Sequence, residues 1–163
     1  MPVFDTGKDF DDIQEPELLP EEWYTMEIVE EPERTMNKKM KEGGAEAEGA
    51  GYNIVLKLEV LYPDVPEYNG RKFTLWLSLP VEGDESRYTA AGQTIEDFKL
   101  DQIKKIAQGF AGREISGSEV EFNKGMKADF YVKQGIANGG ARKGQPQNEI
   151  DTFAGVKVAG ATL

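Results

Sequence analysis

Three early segments of the chain alternate apolar with polar residues, which is the pattern of half-buried β-strands. We predict strands at about Trp23–Glu30, Tyr52–Tyr62 and Arg71–Leu79. One face of each strand gathers the expected core residues, namely Tyr24, Met26 and Ile28, then Ile54, Leu56, Leu58 and Val60, then Phe73, Leu75, Leu77 and Leu79. In the third strand Trp76 shares the opposite, solvent-facing side with Lys72.

The apolar spacing then changes to a helical period. We predict a helix at about Ile95–Gln108, with an apolar stripe of Leu100, Ile103, Ala107 and Phe110. Thr94 with Asp97 resembles a capping box, and Gly109 or Gly112 ends the helix. Two more strands follow, at about Lys127–Lys133 and Glu149–Val158, and residues 119–123 are a weaker candidate for a short strand.

Two long connections interrupt this pattern. Residues 31–51 hold four bases within eight positions, Arg34, Lys38, Lys39 and Lys41, followed by a Gly/Ala/Glu stretch. A structureless connection of this length is uncommon in a compact domain, so we expect it to be functional or disordered. Residues 135–148 are rich in glycine, carry Arg142 and Lys143 and contain no acid.

The order of elements predicts the fold class. Three strands, a helix and two further strands give a mainly β, five-stranded OB-fold-like barrel with one helix between strands 3 and 4. The alternative is a small β-sandwich with one helix. OB-folds bind their ligands on the face of strands 2 and 3 and on the loops between strands 1–2 and 4–5. Both long connections fall at those two loops.

Charge divides the chain into two parts. The 163 residues suit one domain, and the formal net charge is −11. Residues 1–33 contain 12 acids and one base, so the remaining residues, with 18 of each, are balanced. We predict an acidic, flexible N-terminal segment at 1–20 and an OB-like binding domain at 21–163.

Composition excludes several classes of function. The chain has no cysteine and no histidine, which removes the usual zinc ligands and the common nucleophile–base pairs. The spacings of EF-hands and phosphate-binding P-loops are also missing. We therefore predict no catalytic residues, no metal and no cofactor. No membrane-length apolar run or signal peptide is present, so a cytoplasmic protein that makes no membrane contact is expected.

Bases and aromatic rings form the candidate chemistry. Single strands of nucleic acid are held by cations on their phosphates and by rings that stack on their bases. The predicted binding residues are Arg34, Lys38, Lys39, Lys41, Lys57, Lys72, Trp76, Tyr131, Arg142 and Lys143.

Several short motifs resemble a family of small phage-encoded proteins found beside recombination and replication genes. They are Leu19-Pro20 before the first strand, Tyr68-Asn69-Gly70-Arg71 before Phe73, the Ile103–Gly109 helix end and Asn148-Glu149-Ile150. The resemblance implies an OB-like fold and sequence-tolerant binding of single-stranded DNA during phage replication or recombination, in the cytoplasm of a bacterial host.

A second hypothesis makes the chain an acidic protein-interaction or DNA-mimic module that does not bind nucleic acid. The acidic segment would then bind a basic partner or mimic DNA. Under the first hypothesis, phage or host replication or recombination proteins are expected as further partners, bound through the acidic N-terminal segment. The sequence leaves homo-oligomer formation open under either hypothesis.

Overall fold

The computed structural model describes residues 1–13 and 17–160 and contains one antiparallel sheet. Residues 14–16 of the predicted N-terminal segment and residues 161–163 of the predicted domain lie outside this description. The strands are β1 (Glu22–Ile28), β2 (Glu33–Met36), β3 (Tyr52–Leu61), β4 (Lys72–Ser78), β5 (Lys127–Ile136), β6 (Pro146–Ile150) and β7 (Val156–Val158). The helices are α1 (Lys38–Gly43) and α2 (Ile95–Ala111).

The strands lie across the sheet in the order β4, β3, β1, β5, β6. β2 follows β1 along the same edge of β3, and β7 follows β6 along the same edge of β5. Every pairing is antiparallel, and α2 lies in the chain between β4 and β5. The predicted mainly β class with one main helix is confirmed, and the sheet curls around its core as an OB-like half-barrel.

The described residues form seven strands rather than the five predicted. Residues 31–51, expected to be a structureless connection, contain β2 and α1. The predicted last strand is divided at Thr152–Ala154, where Asp151 accepts a hydrogen bond from the Phe153 N–H at 3.0 Å and starts a short 3-10 turn. Residues 119–123 form no strand.

The residues that cap α2 determine where it begins and ends. Thr94 Oγ1 accepts a hydrogen bond from the Asp97 N–H at 3.1 Å, and Gly112 ends the helix with a φ of 71°. Gly109 lies inside the helix. The absence of a side chain there lets Val156 of β7 pack closely, because a Cβ would overlap the Val156 side chain. The buried face comprises Ile103, Ile106, Ala107, Gly109 and Phe110, whereas Leu100 of the predicted stripe is 45% exposed.

The core lies between the inner face of the sheet and α2. The inward residues of β1, β3 and β5 are buried as predicted, with Tyr24, Met26, Leu56, Leu58 and Phe130 all at 1% exposure or less. Phe153 lies outside the core, since it is 84% exposed on the turn between β6 and β7.

Leu19 is tied to the sheet by its backbone. Its side chain is fully buried, and its N–H donates to Asn148 Oδ1 at 2.8 Å. Asn148 Nδ2 and Gln134 Nε2 both donate to the Leu19 carbonyl, each at 3.0 Å. The chain before β1 is therefore held against β5 and β6.

Asp84 is fully buried between β4 and α2. It accepts bonds from Lys99 Nζ at 2.6 Å, from Arg87 Nη2 at 2.6 Å and from the Val81 N–H at 2.9 Å. Burial alone would raise the pKa of the Asp84 carboxyl, but the bonds from Lys99, Val81 and Arg87 outweigh it and lower that pKa below its usual value. This cluster fastens the connection after β4 to α2.

Candidate functional site

The outer face of β3 and β4 is ordered by the register between the two strands. Three cross-strand pairs lie on it, namely Trp76 with Val55, Thr74 with Lys57, and Lys72 with Glu59. Lys57 Nζ approaches Thr74 Oγ1 at 3.4 Å. Because the side chains alternate along each strand, none of these residues belongs to the inner face that holds the core.

Trp76 is the large exposed ring of this face. Its side chain is 61% exposed, whereas Leu75 and Leu77 on either side are 9% and 0% exposed. β4 pairs with β3 along one edge only, so among the described residues no further strand lies beside the indole. The ring is therefore accessible both from the face and from the open edge of the sheet.

Acidic residues neutralise the centre of the face. Glu59 lies opposite Lys72, and Glu33 of β2 lies opposite Val55, in the row of Trp76. The two bases of the face, Lys57 and Lys72, are therefore balanced by two acids, Glu33 and Glu59. Positive charge available to an anionic ligand must therefore come from the ends of the face.

One basic group lies at the Trp76 end. β2 pairs with Tyr52–Val55, the half of β3 that lies beside Trp76, and α1 follows β2 directly. Asn37 caps this helix by accepting a bond from the Met40 N–H at 2.9 Å. Lys38, Lys39 and Lys41 are exposed. Within the part of the chain that the structure describes, the only ion pair made by one of the three is a loose contact of 3.9 Å between Lys38 and Glu42.

Arg34 lies apart from those three lysines. It is opposite Ile54, so it occupies the inward side of β2 rather than the side of Trp76. Its guanidinium carbon lies 4.2 Å from the centroid of the Tyr52 ring, in a cation–π contact. The structure therefore does not bring Arg34 to the outer face of β3 and β4 that carries Trp76, the Trp76 face.

A second basic group lies at the Lys72 end. Arg142 and Lys143 are exposed in the hairpin that joins β5 to β6. Four antiparallel pairings, through β3, β1 and β5, separate β4 from β6, so these two strands run in the same direction. Residues of both strands line one cleft. The hairpin thus precedes β6 at the end where Lys72 begins β4, and the two basic groups bracket the face.

The cleft between β4 and β6 is the open seam of the half-barrel. Its volume is about 530 Å³. One wall is Arg71–Trp76, the other is Gln147–Ile150, and Leu19 contributes to the lining. Arg71 was not among the sequence-predicted binding residues, although it directly follows the Asn-Gly turn and precedes Lys72.

Tyr131 belongs to a different part of the outer surface. It lies opposite Trp23 in the β1–β5 register, with ring centroids 5.6 Å apart in an edge-on arrangement. Lys157 Nζ lies 4.3 Å from the centroid of the Trp23 ring. Sequence reasoning missed Trp23 and Lys157, although alternation with buried Tyr24 already assigns Trp23 to the outer side.

The chemistry available at the face is stacking and ionic contact. Among residues 1–13 and 17–160, no three acidic side chains gather closely enough to hold a metal ion. Within the same residues, no helix is both long and apolar enough to cross a membrane. Neither the protein-family models nor the curated proteins compared with this chain match its sequence.

Proposed function

We propose that this protein binds single-stranded DNA, with little sequence preference, on the outer face of β3 and β4. The observation that carries the proposal is the position of Trp76, 61% exposed on a strand face that also bears Lys57 and Lys72. Every base presents a π-face, and stacking on an aromatic side chain is worth about 1–3 kcal/mol per base.

The basic groups supply phosphate contacts at both ends of this face. Lys38, Lys39 and Lys41 extend it beyond Trp76, and Arg142 and Lys143 extend it beyond Lys72. A strand that stacks on Trp76 and follows β4 meets both groups. Duplex DNA keeps its bases stacked inside and cannot use the ring in this way, so the arrangement favours single strands.

The biological setting follows from the resemblance of the short motifs. We propose that the protein acts in phage DNA replication or recombination, in the cytoplasm of the bacterial host. It would keep DNA single-stranded there without chemical change, so no catalytic group is required. Phage or host replication and recombination proteins would be its protein partners.

Fluorescence anisotropy of a labelled poly-dT of roughly 30 nucleotides, a length that covers one or more OB-type sites, tests the proposal. We expect tight binding that weakens steeply between low and moderate salt, because phosphate contacts release counterions. Duplex DNA of equal length should bind much more weakly. No binding to the single strand at low salt would overturn the proposal and favour the protein-interaction hypothesis.

Intrinsic fluorescence locates the site independently. The chain contains two tryptophans, so Trp23→Phe leaves Trp76 as the sole indole, and Trp76→Phe leaves Trp23. We expect poly-dT to quench the emission of the Trp23→Phe protein strongly and that of the Trp76→Phe protein weakly. The opposite pattern would place the ligand beside Trp23 and Tyr131.

A further inference from the structure

The residues between β2 and β3 form a loop that carries the lysines of α1. Residues 37–51 contain three lysines and three glutamates, namely Lys38, Lys39, Lys41, Glu42, Glu46 and Glu48. The formal charges of these side chains cancel, so the loop as a whole has no net charge with which to attract an anion. Any contribution of its lysines to the binding of phosphates must therefore depend on how the loop is folded.

The fold of the loop places its lysines and two of its three glutamates on different limbs. The lysines belong to α1, whereas Glu46 and Glu48 follow a reversal of the chain. Gly44 makes this reversal with a φ of 78°, and a Cβ at Gly43 would overlap the Cβ of Ala47. Within the described residues, neither Glu46 nor Glu48 forms an ion pair.

Asn37 holds the two limbs together. Its Oδ1 accepts a hydrogen bond from the Met40 N–H at 2.9 Å, which caps the start of α1. Its Nδ2 donates to the Gly49 carbonyl at 2.8 Å, and its backbone N–H donates to the Gly51 carbonyl at 2.8 Å. One half-buried residue thus fixes the first turn of the helix and the returning limb at the same time.

α1 depends on these contacts because it is short. It has six residues, and helices of fewer than about 12 residues are marginal in water. Lys38 and Lys41 lie three positions apart, so their like charges repel each other on the helix surface. Loss of the Asn37 side chain should therefore loosen the helix and open the loop.

The returning limb is seated against the end of β4. A Cβ at Gly51 would overlap the side chain of Val81, so the limb closely approaches the connection that follows β4. Lys39 Cγ lies 3.6 Å from the position of a Cβ at Gly49, so the stem of this lysine passes the same limb. Since Trp76 lies two residues before the end of β4, the closed loop is held at the Trp76 end of the face.

We propose that Asn37 is a positioning residue for DNA, which holds the loop closed so that the lysines of α1 are presented beside Trp76 before the ligand arrives. This inference rests on the proposed binding of single-stranded DNA. Groups that are already ordered bind more tightly, because less freedom is lost on association. In an open loop the lysines would share their surroundings with the loop glutamates, and the attraction for phosphate would fall.

A double-mutant cycle in the poly-dT anisotropy assay tests the inference. Asn37→Ala removes both side-chain bonds without changing any charge, and we expect it to weaken binding several-fold. In a chain whose Lys38, Lys39 and Lys41 are already Gln, the same substitution should have no effect, because no lysine is left to position. An equal loss in the two chains would overturn the inference, since general destabilisation would weaken binding in both.

Thr94→Ala is the matched control. It removes the corresponding cap from α2, which carries none of the predicted binding residues. We expect it to leave the affinity for poly-dT unchanged. A loss as large as that of Asn37→Ala would overturn the inference, because removal of any helix cap would then be sufficient.

Hydrogen exchange gives a measurement that needs no DNA. The Met40 amide should exchange faster in the Asn37→Ala protein than in the parent, and unchanged exchange would overturn the inference. The anisotropy results separate this inference from the proposed function. No binding by the parent protein would overturn both, whereas tight binding by the parent with the same affinity in Asn37→Ala would overturn the role of Asn37 alone.

Discussion

Trp76 and Val55 lie directly opposite each other on the outer face of β3 and β4, yet Trp76 is 61% exposed and Val55 only 9%. The indole therefore stands above the sheet without being part of the core. Removal of its ring should change ligand binding much more than it changes the free energy of unfolding.

We predict that Trp76→Ala weakens binding to poly-dT about tenfold, which corresponds to the loss of one stacked base. Phe153→Ala is the matched control, because that ring is 84% exposed but lies between β6 and β7. Anisotropy titrations of both variants measure the difference. Equal losses in the two variants would show that exposed rings in general determine the binding, and unchanged affinity in both would contradict stacking on Trp76.

The lysines of α1 should contribute through charge. Replacing Lys38, Lys39 and Lys41 by Gln should weaken binding and reduce the slope of log affinity against log salt by about 2, at roughly 0.7 for each phosphate contact. A control chain with the exposed Lys104, Lys124 and Arg113 replaced by Gln loses the same charge elsewhere. An identical slope change in both chains would mean that only net charge matters.

Much of the fold could be predicted because alternation specifies both a strand and its buried face. Alternation assigns one side of each strand to the core, as observed for Tyr24, Met26, Leu75 and Leu77. The same alternation assigns Trp76 to the exposed side. The interruptions could not be predicted, since β2 is a short strand of Glu33, Arg34, Thr35 and Met36 that shows no apolar alternation and forms by pairing with Tyr52–Val55.

The site was predictable in part for the same reason. Sequence indicates which residues are basic, but the side of a strand on which Arg34 lies depends on its partner Ile54 in the register. The cleft depends on two edges from distant segments, β4 and β6. Neither relationship leaves a local signal in the sequence.

Asn148 should be important for stability because its amide replaces a backbone partner for Leu19. We predict that Asn148→Ala lowers the free energy of unfolding by about 1–3 kcal/mol, since it leaves the N–H of the buried Leu19 without its bond. Gln147→Ala, which removes a bond to the Glu149 side chain only, should cost less. Urea unfolding of both variants tests this, and equal losses would contradict it.

Asp84 should give stability a defined dependence on pH. Its pKa in the folded protein lies below the ordinary value of 3.8, so its contribution is complete above that value and is lost as the pH falls through the folded pKa. We predict that Asp84→Asn costs about 2–3 kcal/mol at pH 7, because Lys99 and Arg87 lose their buried partner.

Urea unfolding at pH 7, 5 and 3 measures this dependence. The difference between the parent protein and Asp84→Asn should stay constant between pH 7 and pH 5 and shrink toward pH 3. Glu82→Gln, an exposed acid nearby, should differ little from the parent at any of these values. A difference that persists unchanged to pH 3 would mean that the Asp84 carboxylate is not responsible.

β3 pairs with β1 and β2 along one edge and with β4 along the other. The strands that form the surroundings of Trp76 are therefore all hydrogen-bonded to β3. In terms of native-state hydrogen exchange, those amides of β2, β3 and β4 that are bonded across these pairings should open together as one cooperative unit. Loosening of β3 would then expose the core and dismantle the Trp76 face in the same event. The face can be mobile only to the extent that the whole domain is unstable, whereas the hairpin that carries Arg142 and Lys143 is free to exchange on its own.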